Sequence, residues 1–149
     1  MTEYTLRKAT ERDVPEILYA EQISFTDPWS EGMILSCFED GIDLTLITRI
    51  SDGAIVGYSV VDRRVDGEAE LHNIAVLPEY RGKGLSTLLM DKMISDVNEA
   101  DVIFLEVRAS NTAAKGLYKK YGFTEIGIRR NYYKNPTEDA IIMQRRTGI

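Results

Sequence analysis

The order of elements around one glycine-rich turn constrains the fold of this chain most strongly. Residues 73–94 pass from an apolar, strand-like run into the turn "RGKGLST" and then into an amphipathic helical pattern. A second buried-strand pattern, "DVIFLEVRAS", follows that helix. Because a strand, a helix and a strand in this order usually form a right-handed crossover, we expect the two strands to lie parallel.

The other strand patterns add antiparallel neighbours to this unit. "LTLITRI" and "AIVGYSVVD" are joined by a Ser-Asp-Gly turn that favours a hairpin, and a third strand is predicted at residues 68–77. "TEIGIRRNYY" and "DAIIMQRR" predict two further strands around a polar loop. The sequence therefore predicts an α/β (α+β) fold with a mixed, mostly antiparallel sheet.

Helical spacing of apolar residues predicts the elements that flank this sheet. A helix is predicted at residues 11–24 after the capping pair Thr10 and Asp13, and Ser30 is expected to cap a second, short helix. "NTAAKGLYKKYGF" predicts another helix, ended by Gly122. The residues expected to face the core are Met33, Ile34, Cys37 and Phe38 in the short helix, and Leu85, Leu88, Leu89, Met93, Ile94 and Val97 after the turn.

Size, charge and composition limit the functional classes. The 149 residues match one domain, residues 1–149, and the formal net charge of −6 argues against direct nucleic-acid binding and favours a basic partner. The single cysteine excludes an internal disulfide, and the sequence offers no metal-ligand spacing. The charged N-terminus and short apolar runs predict a cytoplasmic protein without a membrane span.

Three phosphate-binding interpretations compete for the glycine-rich turn. The P-loop spacing occurs nowhere in the chain, and a dinucleotide fingerprint lacks its third glycine where Thr87 stands. The third interpretation is a pyrophosphate held by the free N–H groups at the start of the helix, with Gly82 and Gly84 allowing close approach. From the turn alone, an ordinary glycine-containing helix start remains an equal alternative.

The turn also carries a more specific resemblance. Arg81, Gly84 and Ser86 follow the pattern [Gln/Arg]-x-x-Gly-x-[Gly/Ala] of the GNAT superfamily of N-acetyltransferases, with Ser86 departing at the last position. Within that superfamily the chain resembles the RimI-type ribosomal-protein alanine N-acetyltransferases at "EQISFTDPWS", "LEVRASN", "RRNYY" and "EDAIIM". The family's "ALY" is here Gly116, Leu117 and Tyr118, and the likeness covers nearly the whole chain.

The resemblance implies the GNAT fold, whose two central parallel strands splay apart, and acetyl-CoA as co-substrate. It implies that the pantetheine arm runs beside the backbone of Ile74, Ala75 and Val76, with an N–H near Val76 steadying the oxyanion. Asn111 matches a contact to the coenzyme, although it could simply cap the following helix. The residues implied to hold the pyrophosphate are Arg81, Gly82, Lys83, Gly84, Leu85, Ser86 and Thr87.

The resemblance also implies two catalytic residues. Glu106 matches the general base, and Tyr118 matches the acid that protonates the departing thiolate. From the residues alone, Glu106 could be an exposed strand carboxylate and Tyr118 a core aromatic. His72, the only histidine, is interpreted as a strand residue and not as a catalyst.

For the acceptor, the resemblance implies the N-terminal alanine of a small-subunit ribosomal protein. It would enter between "DPWS" and the "RRNYYKNPTED" hairpin, where Trp29, Tyr132 and Tyr133 either line the groove or serve as packing aromatics. At pH 7 roughly one α-amine in seven is neutral, against about one lysine in 2,500, so a single modest base suffices for a protein N-terminus. Acetylation of a lysine or a small-molecule amine, and a non-catalytic acetyl-CoA-binding module, remain alternatives.

Overall fold

A seven-stranded sheet forms the centre of the protein, and the computed structural model describes residues 3–97 and 101–146 of the chain. The strand order is β1-β2-β3-β4-β5-β7-β6, and every neighbouring pair is antiparallel except β4 and β5. The predicted mixed, mostly antiparallel sheet is thereby confirmed. The strands are β1 Tyr4–Lys8, β2 Ile42–Arg49, β3 Ile55–Asp62, β4 Glu68–Val76, β5 Val102–Arg108, β6 Thr124–Tyr133 and β7 Glu138–Arg146.

The parallel pair in the middle of the sheet is only half joined. β4 and β5 are in register from Glu68 opposite Val102 to Leu71 opposite Leu105. Within the described part of the chain, β4 continues beyond these four pairs to Val76 with β3 as its only partner, and β5 continues to Arg108 with β7 as its only partner. The predicted splay is confirmed, and it leaves backbone groups facing a wedge between the two strands.

Four α-helices cover the sheet within the described residues. Their bounds are α1 Val14–Ser24, α2 Glu31–Leu35, α3 Leu85–Asp96 and α4 Thr112–Lys120. A short 3-10 helix precedes α1, and the carboxylate of Asp13 accepts a hydrogen bond of 2.8 Å from the N–H of Thr10, as the capping pair predicts. Ser30 Oγ accepts from the N–H of Met33 at 3.2 Å, so it caps α2 as predicted.

The helices divide between the two faces of the sheet. α1 and α2 pack with β2, β3 and the end of β4 in one apolar cluster, whereas α3 and α4 pack with β4, β5 and β7 in another. The adjacent residues Ala75 and Val76 belong to different clusters, because successive side chains of a strand point to opposite faces. The end of β4 is thus fixed from both sides.

The sequence interpretation missed one strand and placed two side chains wrongly. β1 lies at the sheet edge and was not predicted, because its alternating, mostly exposed residues form too short a pattern. Met33 and Leu88 are exposed by 48% and 37%, although helical spacing placed them in the core. Leu85, Leu89 and Met93 of α3 are buried as predicted, and Met90, which was not predicted, is buried with them.

None of the helices in the described part of the chain combines the length and the apolar character that a membrane crossing requires.

Candidate active site

An open cleft of about 540 Å³ lies at the wedge between β4 and β5. Trp29, from the segment between α1 and α2, lines one side, and Tyr132 near the end of β6 lines another. Ile74 of β4, Glu106 of β5 and Tyr118 of α4 complete its walls. The splayed strands therefore open into a space that side chains from both ends of the sequence enclose.

The structure brings together only part of the predicted site. The predicted residues that line the cleft are Ile74, Glu106, Asn111 and Tyr118, together with the groove candidates Trp29, Tyr132 and Tyr133. Ala75 and Val76, which the resemblance placed beside the pantetheine arm, are buried and lie outside the lining. Residues 81–87 also lie outside it, beyond the end of β4.

The glycine-rich turn has the backbone that an anion site needs. Gly82 and Gly84 have φ angles of +79° and +75°, a left-handed conformation that L side chains rarely adopt. Among the described residues no side chain caps α3, and in its first turn the N–H of Thr87 donates to the carbonyl oxygen of Gly84 at 3.2 Å. Arg81 Nε donates to the carbonyl oxygen of Val76 at 3.0 Å, which ties the turn to the end of β4.

Glu106 has two carboxylate oxygens in different environments. Its side chain is 18% exposed, and Oε1 lies 3.3 Å from Nε of Arg129. Oε2 is buried and has no hydrogen-bond partner among the described residues. Burial raises the pKa of Glu106, and the positive charge of Arg129 opposes that rise. A raised pKa makes the carboxylate a stronger base than an exposed glutamate.

Tyr118 is both a packed aromatic and a cleft residue. It is 5% exposed, and its ring centroid lies 5.9 Å from that of Phe123. Burial raises the pKa of its hydroxyl, and the neighbouring Tyr133 adds to the effect. The hydroxyl therefore keeps its proton at neutral pH, as a proton donor must.

An arginine fork that the sequence interpretation missed holds the loop between β6 and β7. Arg108, near the end of β5, donates to the carbonyl oxygens of Lys134 at 2.7 Å and Pro136 at 3.0 Å, and it contacts Glu138 at 3.3 Å. Its guanidinium lies 4.6 Å from the centroid of the Tyr133 ring. Burial and the charge of Glu106 raise the pKa of Tyr133 to about 12. Arg108 thus fixes one wall of the cleft.

A buried carboxylate, also missed, holds the opposite wall. Glu21 of α1 is 1% exposed and accepts hydrogen bonds of 2.8 Å from the N–H of Trp29 and from Nδ2 of Asn73. It also accepts one from the hydroxyl of Tyr58. The signal was present in the sequence, because Glu21 follows Ile17 by four residues and so shares the buried face of α1.

Asn111 and His72 have clear structural partners. Asn111 Oδ1 accepts from the N–H of Ala114 at 3.1 Å, so the alternative of a helix cap describes its observed contact, although the residue also lines the cleft. His72 lies in β4, as predicted, with Nε2 at 3.1 Å from Oδ2 of Asp62. The described residues contain no group of three His, Cys, Asp or Glu side chains that could hold a metal ion.

Comparison with known proteins decides the family. The family described as "Acetyltransferase (GNAT) family" matches residues 13–123. The chain belongs to the GNAT family of acetyltransferases. It is an enzyme of a family that uses acetyl-CoA as co-substrate, so the predicted family, enzyme class and co-substrate are confirmed.

Relatives of this GNAT enzyme match it over most of its length. The [ribosomal protein bS18]-alanine N-acetyltransferase of Haemophilus influenzae is 38% identical over 88% of this chain and 90% of that protein. The crystal structure of the ribosomal-protein-S18-alanine N-acetyltransferase from Escherichia coli is 35% identical and superimposes with a TM-score of 0.88, covering 98% of this chain and 95% of that one. Ard1 from Thermoplasma volcanium has a TM-score of 0.87 at 27% identity, covering 99% and 100%.

Proposed function

We propose that this enzyme transfers the acetyl group of acetyl-CoA to the N-terminal α-amine of a protein, and that its acceptor is the N-terminal alanine of ribosomal protein bS18. The observation that carries the proposal is the arrangement of Glu106 and Tyr118 in one open cleft at the strand splay. The acceptor follows from the activity named for relatives such as the Haemophilus influenzae enzyme.

In this proposal the donor binds through backbone groups more than through side chains. The diphosphate of acetyl-CoA lies against the turn of residues 81–87, where Arg81 and Lys83 add positive charge. The amide-rich pantetheine arm pairs with the free edge of β4 at residues 74–76. The geometry that supports this assignment is the end of the β4–β5 register at Leu71.

The chemistry requires two proton transfers. Glu106 removes a proton from the acceptor amine, directly or through water, and the nitrogen attacks the thioester carbon. The carbon–sulfur bond then breaks, the sulfur leaves with its electron pair, and Tyr118 donates a proton to the thiolate. Burial of Glu106 raises its pKa toward that of the amine, which favours the first transfer.

The acceptor chain enters between the walls that Glu21 and Arg108 hold. Trp29 on one side and Tyr132 and Tyr133 on the other offer apolar surfaces with polar edges, which suit a peptide terminus. The net charge of −6 favours a basic protein N-terminus over nucleic acid. We treat residues 1–149 as one domain that acts in the cytoplasm, where ribosomal proteins are made.

A direct test compares two sets of peptides by intact mass after incubation with acetyl-CoA. The first set carries the N-terminal sequence of bS18 with a free α-amine, and the second has the same sequence with a blocked terminus and one added lysine. We expect the first set alone to gain one acetyl group. Acetylation of the blocked lysine peptides alone would overturn the terminal-amine acceptor.

A further inference from the structure

We propose that Phe25 and Met33 form an apolar subsite at the mouth of the cleft, which selects acceptors that carry a large apolar side chain just after the N-terminal residue. The inference rests on the proposed function and deepens it, because it adds a preference for the sequence that follows the reacting amine. It concerns two side chains to which the sequence interpretation assigned no role in binding.

Large apolar side chains converge on the cleft from three different elements. Phe25 follows α1 directly, Met33 lies in α2, and Tyr132 lies near the end of β6. Their exposed fractions are 36%, 48% and 49%, and all three line the cleft. Exposed apolar residues are common when they are scattered singly, whereas a group of them around one opening indicates a binding surface.

The exposure of the lining residues shows where along the cleft this surface lies. Tyr118 is 5% exposed and the side chain of Glu106 is 18% exposed, so both lie in the inner part of the cleft. Phe25 and Met33 are far more exposed and lie at its mouth. An acceptor whose α-amine reaches Glu106 must leave the cleft through that mouth, so the residues that follow its terminus pass these two side chains.

The ends of the two helices hold the backbone of the subsite. The N–H of Phe25 donates to the carbonyl oxygen of Glu21 at 3.0 Å, in the last turn of α1. The N–H of Met33 donates to Ser30 Oγ at 3.2 Å, in the first turn of α2. Between them, the N–H of Trp29 donates to the carboxylate of Glu21 at 2.8 Å. The backbone on both sides of the subsite is therefore fixed before an acceptor binds, which lowers the entropic cost of binding.

The chemistry of the subsite favours an apolar partner over a polar one. An apolar side chain placed against Phe25 and Met33 removes apolar surface of both partners from water, which is favourable. A polar side chain in the same place loses hydration and finds no strong hydrogen-bonding group on either residue. Helical spacing placed Met33 in the core, and the acceptor would cover the side chain that the fold leaves exposed.

The test measures kcat/KM for peptides that begin with alanine and carry either leucine or serine at the second, third or fourth position. The wild-type enzyme should favour leucine about tenfold at one of these positions at least. Met33→Gln should reduce that ratio to about twofold, while Leu35→Gln, which changes a similarly exposed residue of α2 outside the cleft lining, should keep the wild-type ratio. Phe25→Gln and Ile23→Gln form a second matched pair at the end of α1. Since each ratio compares two peptides on one preparation, a general loss of activity does not alter it.

Binding provides the second readout, because Trp29 is the only tryptophan of the chain and lines the cleft. Its fluorescence during titration of the enzyme and coenzyme A with each peptide measures the Kd without acetyl transfer, and the leucine peptide should bind about tenfold more tightly than the serine peptide. Equal values for the leucine and serine peptides at all three positions would overturn the subsite, as would the wild-type ratio in both Met33→Gln and Phe25→Gln. A preference in binding without acetylation of the terminal amine would support the subsite and overturn the proposed function instead.

Discussion

At the scale of single residues, burial acts on Glu106 and Tyr118 in the same direction with opposite consequences. It raises the pKa of both groups, because each loses hydration in its charged form. For Glu106 the result is a stronger base, and the positive charge of Arg129 favours its ionised form. For Tyr118 the result is a hydroxyl that stays protonated. Burial thus strengthens Glu106 as a proton acceptor and makes Tyr118 a weaker acid.

Replacing Glu106 by Gln should separate catalysis from donor binding. Because the amide cannot accept the proton, we expect kcat to fall by roughly 10²–10⁴-fold while the affinity for acetyl-CoA stays at the wild-type value. Steady-state kinetics and calorimetric titration with acetyl-CoA measure the two quantities. Glu125→Gln, which removes an exposed carboxylate from β6, is the matched control. An equal loss of affinity and turnover would make Glu106 structural.

Replacing Tyr118 by Phe should remove the hydroxyl and keep the ring contact with Phe123. We expect kcat to fall by on the order of 10²-fold, with little change in the denaturant midpoint of unfolding. Chemical denaturation and kinetics on the same preparation check both expectations. A variant with full turnover and reduced stability would leave Tyr118 only its role as a core aromatic.

At the scale of elements, the sequence predicts what local pattern determines and misses what depends on distant contacts. The helix starts at Thr10 and Ser30 are set by neighbouring hydrogen bonds, so they were found. The partners of Glu21 lie as far away in sequence as Asn73, and only the folded sheet brings them together. The hydrogen bonds of Arg108 were missed for the same reason, because their acceptors lie on the loop after β6, far from Arg108 in sequence.

The position of the segment before α2 should depend on Glu21. Glu21→Gln keeps the size of the side chain but weakens its hydrogen bonds to three donors, and we expect a loss of about 1–3 kcal/mol in the free energy of unfolding. The KM for the acceptor peptide should rise more than that for acetyl-CoA, because Trp29 loses its anchor. Glu31→Gln, an exposed change in α2, is the control. Equal rises in both KM values would contradict a specific role at the acceptor wall.

The pairing of β3 with β4 should tolerate no side chain at Gly57. A Cβ atom there would lie 2.7 Å from the carbonyl oxygen of Ala75, a backbone atom that cannot move away cheaply. We expect Gly57→Ala to destabilise the fold by about 1–3 kcal/mol. Gly116→Ala is a matched control, since nothing lies within 4 Å of its Cβ position and alanine favours the helix α4. Thermal unfolding of both variants measures the effect, and equal melting temperatures would contradict the steric conflict at Gly57.

At the scale of the whole molecule, the net charge affects the approach of the acceptor, and the sheet architecture determines the fold. The net charge of −6 acts over distance and concerns the encounter with the acceptor. The mostly antiparallel sheet, its one parallel pair and the splay were predicted from a crossover unit and a family resemblance, whereas the place of β7 between β5 and β6 was not. The edge strand β1 was not, since five partly exposed residues gain most of their stability from pairing with β2.

Salt should weaken the recognition of a basic acceptor. Since the enzyme is anionic, raising the ionic strength screens its attraction for a peptide rich in lysine and arginine, and the KM of that peptide should rise several-fold between about 0.01 and 0.15 M. A peptide with the same N-terminal residue and no net charge should show a much smaller change. Parallel rises for both peptides would show that charge does not guide the encounter.

Among the residues that the structure describes, only four pairs join the half of the sheet that contains β1 to β4 to the half that contains β5 to β7. The coenzyme arm, in bridging the open part of that seam, would act as an extra strand that closes the sheet. Binding of acetyl-CoA would then stabilise the sheet, and release of coenzyme A would remove that stabilisation. The same backbone hydrogen bonds would therefore serve both the catalytic cycle and the stability of the fold.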